Sequence, residues 1–131
     1  MDQERIKKGR AIRKAGFGPA GEDRLEMLRK LDPGHADSVL EYCFGTVWAR
    51  PGLDPKWREL IVIASAATQN CPEEVDIHVR GALNRGATRE EIIEAIVTLA
   101  PYIGNPRTNH ALQAAHYVFD NWEKRKDWHA E

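Results

Sequence analysis

Four helix starts are spelled out along this chain from Asp54 onward, and they constrain the fold more than any other feature. Asp54-Pro55, Cys71-Pro72 and Asn105-Pro106 each set a proline where a first helical turn begins. Proline's missing amide is no loss at that position, and a preceding aspartate accepts from the free amides of the first turn. Thr88-x-x-Glu91 is a capping box. Gly86 and Gly104 supply left-handed stops. These marks predict helices near 55–69, 72–85, 88–103 and 106–124, with Pro101 kinking or tightening the last turn of the third. Weaker helices are predicted at 22–31 and 34–46, after an N-terminal segment broken by Gly16, Gly18, Pro19 and Gly21. Leu60-Ile61-Val62-Ile63-Ala64 has the composition of a strand. Its cap at Asp54 and its continuation through Ala66-Ala67-Thr68 favour a helix buried on most sides. The fold class is all-α.

A chain of 131 residues is expected to form one domain, 1–131, with a real core. Its 42% hydrophobic and 30% charged residues are those of an ordinary soluble protein. A formal net charge of −1 gives no global field to recruit nucleic acid or an anionic membrane. The longest largely apolar run, Leu60 to Ala67, has eight residues, well short of a membrane span. Residues 1–8 lack the apolar block of a signal peptide, and Cys43 and Cys71 make no disulfide framework. Cytoplasmic residence is the expectation. The five histidines are scattered, and His110 and His116, six apart, do not share a helix face, so no metal site is expected.

The candidate chemistry lies between Arg58 and Gly86. If Pro72 opens a helix, Glu74 and His78 stand one turn apart on the same face. A carboxylate held beside an imidazole can relay a proton, which is general acid–base work. Glu74 alone also fits a structural role at the third helical position, reaching back to the cap amide. His78 alone also fits a satisfied core or surface histidine. The spacing by itself leaves both readings open.

The order of motifs adds to this. Phe44-Gly45, Trp48, Arg50-Pro51-Gly52-Leu53-Asp54 and Arg58 are followed by Glu74-Val75-x-x-His78-Val79-Arg80-Gly81-Ala82-Leu83-x-x-Gly86. Glu90-Glu91-Ile92-x-Glu94 and Tyr102-x-Gly104-x-Pro106-x-x-Asn109 come next. Over residues 42–119 this series resembles the carboxymuconolactone decarboxylase branch of the alkylhydroperoxidase-D-like superfamily. The resemblance implies an all-α bundle of about six to seven helices that assembles into homo-oligomers, trimers or hexamers. It also implies decarboxylation of a small carboxylated lactone, such as γ-carboxymuconolactone in aromatic catabolism, without metal or organic cofactor. In that reading His78 carries the proton and Glu74 orients it. Arg50 and Arg58 would dock the substrate's carboxylates, and Trp48 and Tyr102 would line the pocket. Each of these four has an ordinary alternative: helix capping or ion pairing for the arginines, core packing for the aromatics.

The peroxidase branch of the same superfamily carries Glu-x11-Cys-x2-Cys-x3-His. Glu59, Cys71 and His78 fall on that spacing, but the second cysteine position is Glu74. A thiol peroxidase or disulfide reductase using Cys71 is therefore the rival enzyme reading, and a non-catalytic, ligand-binding oligomer is the third. Decarboxylases of the family usually have serine at the position of Glu59 and a small residue at that of His110. Glu59 reads either as a third member of a relay with Glu74 and His78 or as a surface ion-pair partner on its helix's first turn.

Overall fold

The computed structural model describes residues 1–131, and every regular element in it is helical. The elements are α1 (Gln3–Leu31), α2 (Pro33–Ser38), a π-helical segment (Val39–Val47), α3 (Pro55–Thr68), α4 (Pro72–Asn84), α5 (Arg89–Thr98), α6 (Ala100–Ile103), α7 (Asn105–Asn121) and a short 3-10 turn at Lys126–Trp128. They divide into two compact units, one of residues 1–54 with 127–131 and one of 55–126. No helix is long and apolar enough to cross a membrane.

In the first unit the break expected at the glycines falls at one residue, and the segment is helical on both sides of it. Only Gly18 leaves helical geometry, at φ 61° and ψ −160°. The chain turns back there. Arg10 Nη2 lies 2.9 Å from Glu22 Oε2, whereas twelve residues of straight helix would separate them by about 18 Å. α1 is thus a hairpin of two arms, and Arg13 Nη1 donates to the Gly21 carbonyl at 2.5 Å across the bend. Gly18 is required twice over, since its φ is left-handed and the carbonyls of Trp128 and His129 crowd its Cα. The π-helical segment packs on the arm before the bend, where Gly9 leaves room for the Leu40 carbonyl. Its wide turns are seen in the Trp48 amide reaching the Cys43 carbonyl at 2.9 Å. Phe17, Phe44 and Trp48 fill this core, with rings 6.1 and 5.5 Å apart.

The second unit follows the predicted punctuation closely. α3 and α4 form a hairpin through Asn70, which takes the left-handed conformation at φ 55°. Gly86 and Gly104 also have positive φ. The Thr88–Glu91 capping box is complete in both directions, at 3.0 and 2.9 Å. The single helix expected over 88–103 is two, because Pro101 has no amide to continue the ladder and α5 gives way to α6 at Leu99. Ile63, Val75, Val79, Ile92, Ile96, Ala111 and Val118 make the core between α3, α4, α5 and α7.

Candidate active site

The buried stripe of α3 runs Glu59, Ile63, Ala66, Ala67, a helical period with a carboxylate as its first member. The buried stripe of α4 runs Val75, His78, Val79, Ala82, with an imidazole among valines and alanine. These two stripes face each other in the hairpin, so the two polar side chains meet inside it. His78 Nδ1 lies 3.0 Å from Glu59 Oε1, with Glu59 wholly buried. A carboxylate oxygen accepts, so Nδ1 donates and the ring orientation is fixed. The second oxygen, Glu59 Oε2, is buried without a hydrogen-bond partner.

Glu74 stands on the other side of the ring. Its Oε2 is 3.7 Å from His78 Nε2, and its side chain is 45% exposed against 11% for His78. That separation is too long for a direct hydrogen bond and suits an ion pair or a bridging group. Glu74 does not cap its own helix start, because the Cys71 amide already donates to the Ala66 carbonyl at 2.9 Å. His78 is thus held at Nδ1 by a buried carboxylate, with a half-exposed carboxylate beside Nε2. Such a row can hold a proton at Nε2, release it to a bound molecule and recover it from solvent.

The surface alternative for Glu59 is overturned by its burial. Arg58, its neighbour on the first turn of α3, is half-buried with its Nε shielded from water. Arg50 and Trp48 belong to the first unit. There Arg50 is exposed, and Trp48 is 7% exposed, packed on Phe44. Tyr102 is 83% exposed on α6, so core packing does not describe it. Cys71 is a thiol, with Sγ 3.7 Å from the Gln69 carbonyl. No group of histidine, cysteine and carboxylate side chains has the arrangement of a metal site.

The ranking of His78's two carboxylates is where sequence reasoning fell short. The resemblance implied Glu74 as the orienting partner, whereas Glu59 makes the short contact from another helix. The available signal was the apolar stripe of α3, in which Glu59 takes a core position.

An all-α bundle with a carboxylate–imidazole pair buried in a helical hairpin defines the class of protein. Residues 33–117 match the carboxymuconolactone decarboxylase family, and the chain belongs to that family. It is 32% identical to the 4-carboxymuconolactone decarboxylase of Acinetobacter baylyi over 119 residues, which are 90% of this chain and 89% of that protein. It is 41% identical over 80 residues to the nitrosuccinic acid decarboxylase npaB of Metarhizium robertsii, covering 61% of this chain and 55% of that protein. A third relative, peroxisomal protein 2 of Schizosaccharomyces pombe, is 27% identical over 90 residues.

Proposed function

We propose that the protein is a carboxy-lyase, acting as one functional domain on a small carboxylated substrate such as γ-carboxymuconolactone or a related acid. The observation that carries this reading is the row Glu59–His78–Glu74, found in a chain whose relatives include two named decarboxylases. Loss of carbon dioxide breaks a carbon–carbon bond and leaves its electron pair on the substrate. In γ-carboxymuconolactone that pair delocalises into the ring carbonyl as a dienolate. A proton must then be delivered to carbon, and in this reading His78 Nε2 gives it. Glu59 holds the ring through Nδ1 and balances the imidazolium, while Glu74 at the open side returns a proton from solvent. Arg58 binds a substrate carboxylate, by the bidentate geometry a guanidinium offers.

Assembly into a homo-oligomer, a trimer or hexamer, belongs to the same reading. It is supported by Trp57 and Ile61 on α3 and by Ile93 and Val97 on α5, apolar pairs one turn apart that are 38–58% exposed. In this reading the protein works in the cytoplasm and needs no cofactor. The test is carbon dioxide release from γ-carboxymuconolactone and from nitrosuccinate by purified protein, with His78→Ala alongside. Release that collapses in the folded variant supports the reading. Ligand binding without turnover of any such acid would favour a non-catalytic binder.

A further inference from the structure

α4 carries a second polar face. Asp76 is turned about 160° around the helix axis from Glu74 and His78, and Glu73 about 100° and 140°. They border an open groove of about 700 Å³ between the start of α4 and the middle of α7, within the size range of small-molecule sites. The α7 wall presents His110, Gln113, Ala114 and Tyr117, which are one helical stripe.

His110 is held in a definite way. Its Nδ1 lies 2.9 Å from Asn70 Oδ1. An amide oxygen only accepts, so Nδ1 carries the hydrogen and, in the neutral ring, Nε2 is left as an acceptor. Asn70 is positioned for this by its left-handed turn between α3 and α4. The ionisable side chains that line the groove are Glu73, Asp76, His110 and Tyr117, and none of its lining residues is lysine or arginine. Arg80 pairs with Asp76 and offsets much of its charge, so Glu73 supplies the net negative charge. Tyr117, 50% exposed, offers a ring face, with Ala114 and Pro72 adding apolar wall.

We propose that this groove is a second ligand site, separate from the His78 face, for a small organic cation: a primary ammonium on an apolar body. The ammonium donates to His110 Nε2 and to the Glu73 carboxylate, and the body lies against Tyr117 and Ala114. Burial raises Asp76 from its ordinary value, against the pull of Arg80 and Arg125, and a further cation nearby favours its ionised form. The selectivity is opposite to that proposed for the His78 face, which takes an anion.

The experiment titrates the full chain with benzylamine, benzyl alcohol and benzoate, following backbone-amide NMR shifts and heats of binding. Saturable benzylamine binding in the low-millimolar range is expected, with shifts concentrated at 70–76 and 110–117 and neither alcohol nor benzoate reproducing them. Glu73→Gln and His110→Ala change exposed side chains and are each expected to weaken benzylamine by about tenfold. The proposal is overturned by absence of saturable binding, by equal binding of benzyl alcohol, by shifts confined to the surroundings of His78, or by full affinity in Glu73→Gln.

Discussion

Glu59 Oε1 and His78 Nδ1 lie 3.0 Å apart inside the α3–α4 hairpin, although nineteen residues separate them in the chain. A buried carboxylate beside an imidazole is a structural liability unless each satisfies the other. Truncation and isosteric replacement of Glu59 therefore have different outcomes. Glu59→Ala leaves the imidazole donor unsatisfied and is expected to cost about 1–3 kcal/mol, read from urea unfolding. Glu59→Gln keeps the volume and an acceptor, so it should hold most of the stability while losing the charge that balances an imidazolium. Decarboxylation should drop in both. A Glu59→Gln variant with full activity would remove Glu59 from the relay.

Glu74 is half-exposed and lies 3.7 Å from Nε2, so its loss should barely touch the fold. Glu74→Gln is expected to change unfolding free energy by no more than about 0.5 kcal/mol. Turnover should fall, by less than it falls in His78→Ala. Unchanged turnover would assign proton return to another group.

The stability of the second unit has a defined pH signature at Glu91. The Thr88 amide, and then Lys56 Nζ at 2.9 Å, hold its carboxyl below the ordinary value of 4.5. A folded-state pKa below the unfolded one means that ionised Glu91 favours the fold. That contribution is complete above pH 4.5 and is lost as pH falls from there through the folded value. Asp76 has the opposite sign, since burial raises it above 3.8, and its share is lost as pH rises through its folded value. Glu91→Ala should destabilise at neutral pH, with the difference from wild type shrinking on acidification in denaturant titrations. A difference independent of pH would contradict the role of its charge.

The bend of α1 predicts the behaviour of the first unit. Gly18→Ala places a side chain at φ 61° against the carbonyls of Trp128 and His129, and should destabilise by more than about 1 kcal/mol. A neutral effect on thermal unfolding would show that the bend is not held as described.

The second unit was legible because its helix ends are written in local chemistry. Asp54-Pro55, Cys71-Pro72, Thr88 and Gly104 each act within one turn of chain. The first unit was less so. Gly16, Gly18, Pro19 and Gly21 read as a broken segment, yet only Gly18 breaks the helix, because contacts from Trp128 and His129 far along the chain set its geometry. The same limit applied to the site. The one-turn spacing of Glu74 and His78 is local and visible, whereas the Glu59–His78 pair depends on how two helices face each other. The Asn70–His110 pair is also tertiary, and nothing in the sequence around His110 announces it.

The most direct measurement is carbon dioxide release from γ-carboxymuconolactone by wild-type protein and by His78→Ala, both shown to be folded. The account predicts release by wild type and a fall of about a hundredfold or more in the variant. Equal rates in the two proteins, or a wild-type protein that leaves the substrate intact, would contradict it.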